Sequence, residues 1–493
     1  MSEDLNDQMK IRREKLSRLE ELGTEVYPYH FDRSHSITDF LADFDVFLEK
    51  ETVISLAGRI VSKRGSFVHL MDRDNKCQLY VPKKALEGNE ADVFAIADLG
   101  DWIGVSGTAF LTKTGEPTLR VKKYKHLCKS LRPLPSMKEV DGKSFSAFSD
   151  VEARYRHRYL DLIVSPEVRE TFKKRSVIVR SIRHYLDDKG FLEVETPALQ
   201  PLYGGANARP FVTHHNSLDF DLFLRISDEL YLKRLIVGGM ERVYEIGHNF
   251  RNEGMDRNHN PEFTALEFYT AYMDYYQGMD MVEEFIKHLV SEGNKGDLKI
   301  TWEDNKIDFS KPFTRARISD LLRDEVGVDI LTASNEELWA CCKKNNVDID
   351  PKSNYGQLVD ELFSELIEPK LIQPTFVMDH PKAVSPLAKR HRDDGELLVE
   401  RFELFIAGME FGNAFSELND PIDQRQRMEA QAKLKEGGDD EANVVDEDFL
   451  MALEYGMPPT FGFGLGVDRF VMLMTNSSSI KDVILFPTLR PDK

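Results

Sequence analysis

The stretch from Arg242 to Tyr272, RVYEIGHNFRNEGMDRNHNPEFTALEFYTAY, holds the densest set of reactive side chains in the chain. Strand alternation puts Glu245, Asn249, Arg251 and Glu253 on one face, with Tyr244, Ile246 and Phe250 on the other. On a returning strand, Phe263, Ala265, Glu267 and Tyr269 share a face. Arg251 can grip a phosphate through two parallel N–H donors, and Phe263 offers a flat surface to a base. The loop Gly254–Asn260 adds Arg257 and His259, both suited to a polyphosphate. A salt-bridged hairpin facing water is the plain alternative. It accounts poorly for so many charged and aromatic groups in such close order.

Two further segments carry groups of the same kind. In EFGNAFSELND (410–420), Asn413, Phe415 and Glu417 fall on one side of a strand. Glu410 lies at an odd offset from Glu417, and a bulge near Gly412 would bring it to the same side. Two converging carboxylates beside a triphosphate would hold Mg²⁺, whereas apart they are ordinary surface acids. In GFGLGVDRFVMLMT (462–475), glycines permit close backbone approach to a ligand. Arg469 there needs a negative or π partner, which Asp468 could also supply. Two common nucleotide signatures fail: Met137 stands where a phosphate loop ending in Gly142-Lys143-Ser144 needs glycine. Val467 likewise breaks the dinucleotide fingerprint after Gly462-Phe463-Gly464-Leu465-Gly466.

Such groups need a scaffold. With 493 residues the chain is long enough for two or three domains. Its 65 Lys+Arg against 85 Asp+Glu leave a net charge of −20, which disfavours a general nucleic-acid coat but allows local docking of one RNA. The basic runs Lys10–Arg18 and Lys122–Lys129 are candidate patches, or solvated faces. No apolar run reaches a membrane-spanning length, and the acidic, polar start argues against a leader. Four cysteines without a CxxC pair argue against zinc and disulfides and for a reducing, cytoplasmic setting.

Residues 1–22 predict an amphipathic helix with Leu5, Met9, Leu16, Leu19 and Leu22 along one stripe. Five short strands follow: Thr52–Val61, Ser66–Met71, Lys76–Val81, Trp102–Leu111 and Thr118–Tyr124. That count in about 75 residues predicts a small oligonucleotide-binding barrel. Arg132–Asp150, rich in Pro, Ser and Gly, marks a boundary, giving domains 1–145 and 146–493. A long helix then opens at Ser165-Pro166, with Val168, Phe172, Val177, Val179, Ile182 and Leu186 as its apolar contacts, and stops at Lys189-Gly190. Strands are expected near 191–195, 222–226, 242–253 and 262–272. A mostly helical insertion is expected over 295–375, and an exposed acidic connection over 433–449.

Together these segments resemble the class II aminoacyl-tRNA synthetases. The long helix ending in Glu195-Thr196-Pro197 is similar to their first motif. Phe250-Arg251-Asn252-Glu253 with His259-Asn260-Pro261-Glu262-Phe263 is similar to the second, and Gly464 to Arg469 to the third. With a barrel in front, the order resembles the subgroup that charges Lys, Asp and Asn, and most nearly its lysine-charging members. RYRHRYLDL (154–162), GGANARPF (204–211), ELYLKRL (229–235) and SPLAKRHR (385–392) look like that group. The resemblance implies an α+β chain: a five-stranded OB-fold barrel, then a catalytic domain on an antiparallel sheet flanked by helices. It implies ATP as a substrate, Mg²⁺, L-lysine, tRNA(Lys) and a homodimer. Arg251 would hold the α-phosphate and the lysine carboxylate. Glu253, His259, Asn260 and Phe263 would contact ATP, with adenine between Phe263 and Arg469. Glu410 and Glu417 would ligate magnesium. Gly205 and Glu229 would take the α-amino group, Asn413 and Phe415 line the pocket, and Glu267 and Tyr269 receive the ε-ammonium. In the barrel, Phe67 would stack on an anticodon base read by Arg59 and Gln78. Read on its own residues, the acidic pocket suits a doubly cationic amino acid better than aspartate or asparagine. An aspartyl or asparaginyl type, a protein-lysylating ligase and a catalytically silent RNA-binding relative are the rival readings.

Overall fold

The computed structural model describes residues 6–135, 137–140, 143–146, 148–350, 353–436 and 444–491. The chain divides into two units, Met1–Ser149 and Asp150–Lys493.

The first unit opens with helix α1 (Asp7–Glu21), capped by the Asn6 side chain on Met9 N. Leu19 is fully buried and Leu16 and Leu22 pack beside it, as the stripe predicts, while Leu5 lies outside the described residues. The two basic runs are only partly free. Arg12 donates to the carbonyls of Ser130 and Leu99, and Lys15 pairs with Asp98, so both pin α1 to the barrel. Lys129 is buried between Asp98 and Asp101, while Lys122, Lys123 and Lys125 stay exposed. Strands β1 (Val53–Arg64), β2 (Phe67–Met71), β3 (Lys76–Tyr80), β4 (Trp102–Leu111) and β5 (Pro117–Cys128) close into a barrel in the order β1-β2-β3-β5-β4. Alternate residues (Ile54, Leu56, Val68, Leu70, Leu79, Ile103, Leu119) fill it, and closure leaves no strand edge free. The Arg132–Asp150 stretch, read as a plain linker, contains a short antiparallel pair, Met137–Val140 with Lys143–Ser146.

In the second unit, α2 (Pro166–Asp188) ends at Lys189, with Gly190 at φ +79° making the turn. Ser165 stands at the cap position, but its hydroxyl donates to Asp161 instead. The buried stripe is Val168, Ile178, Ile182, Tyr185 and Leu186; Val177, expected inside, is 40% exposed because it falls about 100° around the helix from Ile178.

Further elements are β6 (Leu192–Glu193), α3 (Glu229–Val237), β7 (Arg242–Phe250), β8 (Glu262–Ala271) and α4 (Tyr275–Gly293). They are followed by β9 (Thr314–Arg317), β10 (Thr375–Met378), β11 (Arg401–Ile406), β12 (Met409–Ser416), β13 (Thr460–Gly466) and α5 (Val467–Thr475). The sheet runs β9-β10-β11-β12-β13-β8-β7-β6, antiparallel through its centre with one parallel pair at each edge. Phe268, Phe402, Phe461 and Phe463 from the sheet meet Ile182, Phe285 and Val471 from α2, α4 and α5 in the main core. Burying one face of a central antiparallel sheet in this way leaves its other face for chemistry.

The 295–375 stretch departs from expectation. It begins with a hairpin (Lys299–Trp302, Asn305–Asp308) and β9, and only then forms three helices, Ile318–Val326, Asn335–Lys344 and Tyr355–Leu366. Those helices connect β9 to its parallel neighbour β10. Parallel strands cannot be joined by a tight turn, so this segment is a crossover of the sheet itself, with its own core around Leu338 and Leu362. Of the acidic 433–449 segment, 437–443 lie outside the described residues; the flanks end one helix at Glu436 and cap another from Asp446.

Candidate active site

The open face of the sheet is assembled by register. On β7 and β8, Glu245 stands opposite Glu267, Gly247 opposite Ala265 and Asn249 opposite Phe263. Glu267, Gly464 and Asn413 then align across β8, β13 and β12, with Tyr269, Gly462 and Phe415 aligned beside them. The glycines keep the floor bare: a Cβ on Gly462 would sit 2.1 Å from Glu417 Oε1 and 2.4 Å from the Tyr269 ring. The resulting cleft of ≈ 360 Å³ is lined by Gly205, Glu229, Arg251, Glu253, His259, Asn260, Phe263, Glu267, Tyr269, Glu410, Asn413, Phe415, Glu417 and Arg469. Every catalytic-domain residue assigned by resemblance therefore meets in one place. Arg257 does not line it; its carbonyl receives Ile480 N.

The deep end is acidic. Glu267 accepts from Ser227 Oγ and Tyr269 Oη, both at 2.9 Å. It shares a hydrogen bond with Asp228, and burial followed by the Asp228 charge holds its carboxyl well above the usual range. Burial likewise pushes Glu229 up to about 7 and raises Glu417, against the pull of Lys233. Lys233 Nζ lies 2.5 Å from both Glu229 Oε1 and Glu417 Oε2. Even so, neither Glu417 oxygen has a well-directed donor. Gly205, at φ +89°, brings its backbone against Ser227 and Glu229.

At the outer end, the Arg251 guanidinium lies over the Phe263 ring, 5.1 Å from its centre, with a buried Nε that has no acceptor. Arg469 donates to the Glu410 carbonyl and contacts His259 Nε2, both at 2.9 Å. Asp468 is not its partner, because that carboxylate binds Arg175 and Thr264 N. The Arg251 guanidinium thus takes one face of the Phe263 ring, and Phe263 and Arg469 both line the cleft. Asn260 spends both ends of its amide on backbone, Glu262 O and Thr488 N, and so shapes the loop. Asn413 accepts from Arg401 Nε at 2.9 Å.

The two acids expected to share a metal both line the cleft. A bulge at Phe411 does turn Glu410 inward: Leu404 pairs with Gly412 but Phe405 with Glu410. Glu403 on β11 also acts on Glu410, and Glu417 interacts with Lys233, Glu229 and Glu267. Burial and the Glu403 charge both raise Glu410, while Arg469, Arg401 and Arg251 pull it back. Among the described residues no cluster of three metal-ligating side chains exists, so such a pair would need ligand oxygens as well. Beyond it, a second cavity of ≈ 620 Å³ adds Asp360, Glu368 and His380.

On the barrel, Phe67 is 40% exposed and packs against Tyr80, ring centres 5.1 Å apart. Gln78 holds Glu116 and Thr118 through its amide. Arg59 is not beside them. It pairs with Met71, four residues or about 13 Å along β2 from Phe67, and its guanidinium binds Gly100 O over Trp102.

Residues 150–490 match the family described as tRNA synthetases class II (D, K and N), and residues 54–127 match the OB-fold nucleic acid binding domain. The chain belongs to the class II tRNA synthetases of the D, K and N group. It is 48% identical to a lysine–tRNA ligase of Oceanobacillus iheyensis, covering 99% of this chain and 100% of that protein. It is 50% identical to one from Halalkalibacterium halodurans and 49% identical to one from Enterococcus faecalis, over 99% of this chain and 98% of each. The synthetase is thus an ATP-using ligase with an OB-fold tRNA-binding barrel. Sequence reading missed Ser227, Asp228, Lys233 and Glu403. Lys233 was visible as the i+4 partner of Glu229, and Glu403 lies two strand positions beyond the residue that faces Glu410.

Proposed function

We propose that this synthetase activates L-lysine with ATP and transfers it to tRNA(Lys). The observation that carries the reading is Glu417, buried at 1% exposure beside Glu267 and Tyr269, with Lys233 on its Oε2 and no donor on its Oε1. A site for aspartate needs cations at that depth, and an asparagine site needs neutral amides. Three carboxylates instead suit an ammonium.

In this reading Glu229 and the Gly205 backbone hold the α-ammonium, while Glu267, Glu417 and the Tyr269 hydroxyl hold the ε-ammonium. Arg251, with its orphaned Nε, orients the lysine carboxylate and the α-phosphate for in-line attack. The carboxylate oxygen bonds to the α-phosphorus and the bond to pyrophosphate breaks; no side chain acts as nucleophile or general base. Arg469 and His259, in contact at 2.9 Å, would meet the charge of the ATP phosphates. Glu253 and Phe263 frame the nucleotide. Glu410 and Glu417 would hold Mg²⁺, which supplies positive charge against the phosphoryl oxygens. The acyl group then passes to the terminal ribose 3′-hydroxyl of tRNA: the hydroxyl oxygen bonds to the acyl carbon and gives up its proton, and the bond from that carbon to the phosphate oxygen breaks to release AMP.

Phe67 supports anticodon stacking through its exposed ring, with Gln78 on the same barrel face. A homodimer is supported by Leu192, Leu199, Val212, Leu218 and Phe220, large apolar side chains exposed in the segment after α2. Among the described residues no helix is long and apolar enough to cross a membrane, and four free cysteines suit a cytoplasmic setting.

The test is ATP–pyrophosphate exchange with magnesium across all common amino acids, without tRNA. Exchange with lysine alone supports the reading. Exchange with aspartate or asparagine, or none from folded protein that still binds tRNA, overturns it.

A further inference from the structure

Lys233 is a buried cation to which the reading above gives no role. Its side chain is 0% exposed on α3, one turn after Glu229, and its ammonium lies 2.5 Å from Glu229 Oε1, 2.5 Å from Glu417 Oε2 and 5.3 Å from the centre of the Phe415 ring. Burial alone would strip its proton; the two carboxylates more than offset that and keep it charged.

The four carboxyls at this end, Asp228, Glu229, Glu267 and Glu417, are all raised by burial. Arg225 acts on Asp228 and Arg401 on Glu229 from outside the cluster, each held by its own acid, Glu245 and Glu403. Lys233 is the cation in direct contact with both Glu229 and Glu417, and it pulls both toward the charged form that an ammonium group needs.

We propose that Lys233 is a positioning residue for the amino-acid pocket. By bridging Glu229 and Glu417 it fixes both carboxylates for the substrate. This rests on the lysine reading above. It adds that specificity depends on a cation the enzyme itself supplies, and that Glu229 and Glu417 act as a pair rather than singly.

The experiment compares the full-length wild type, Lys233→Met and Lys233→Arg in lysine-dependent exchange, with folding checked by circular dichroism. Lys233→Met is expected to raise KM for lysine at least tenfold while KM for ATP stays within twofold. Lys233→Arg keeps a cation between the two carboxylates and is expected to give a KM for lysine between those of the wild type and Lys233→Met. An unchanged KM for lysine in Lys233→Met, or a parallel rise in both KM values, overturns the inference. So does a Lys233→Arg enzyme no better than Lys233→Met. If Lys233→Met does not fold, Lys233→Arg carries the test: KM for lysine must rise while KM for ATP stays within twofold. The two readings fail separately, because a wrong substrate shows in the wild type and a wrong role for Lys233 shows only in the variants.

Discussion

Glu245 and Glu267 stand directly opposite each other on the central hairpin, and they are used in opposite ways. Glu245 is neutralised from within, by Arg225 at 2.5 Å and by the Thr196 amide and hydroxyl. Glu267 has only the hydroxyls of Ser227 and Tyr269 and the neighbouring Asp228, and no salt bridge among the described residues. One acid of the pair braces the first-motif strand, and the other waits for a cation.

Glu267→Gln should therefore raise KM for lysine by about 30-fold to 1,000-fold, the range for losing one partner of a buried charge pair. KM for ATP should hardly move. Steady-state exchange at varied lysine and ATP separates the two. Glu245→Gln should lower the melting temperature instead, because Arg225 is then left buried without its partner.

Arg251→Ala should abolish adenylate formation, with a loss of at least about 100-fold as for removal of a transition-state donor. Affinity for tRNA, read by filter binding, should survive. Comparable loss of both would mean that Arg251 supports the fold rather than the reaction.

The carboxyl of Glu229 is pushed up to about 7, chiefly by burial. As pH falls through 7 it takes a proton and loses its attraction for the α-ammonium, so kcat/KM for lysine should fall below pH 7. KM for ATP should not follow. In stability the same shift has the opposite sign. A raised carboxyl favours the folded state at low pH, and that contribution is lost as pH rises from the unfolded value near 4.5 through 7. Lysine should accordingly protect against heat more at pH 8 than at pH 6, as thermal melts with and without lysine would show.

Phe67→Ala should raise KM for tRNA by about 10-fold to 100-fold, since stacking on one base is worth about 1–3 kcal/mol. Lysine-dependent exchange without tRNA should stay at the wild-type rate. A tRNA KM that does not move would remove Phe67 from the anticodon site.

Much was already determined by local sequence. Period-two alternation between turn residues specified all five barrel strands, and the same alternation put Glu267 and Tyr269 on the face of Phe263. Gly190 marked the end of α2, and the bulge beside Gly412 was legible as an odd spacing between two acids. These features depend on neighbours a few residues away. What only tertiary structure decided is which charge meets which. Arg59, expected at an anticodon base, is half-buried with its guanidinium on the Gly100 carbonyl, and Asp468, weighed as a partner for Arg469, pairs with Arg175 instead. That Glu403 acts on Glu410 depends on the order of strands in the sheet. The helical stretch before Thr375 became a crossover only once β9 lay parallel to β10. Spacing along one strand fixes the face a side chain takes. Its partner comes from another strand or helix, brought near by long-range packing, and burial then decides whether the pairing matters.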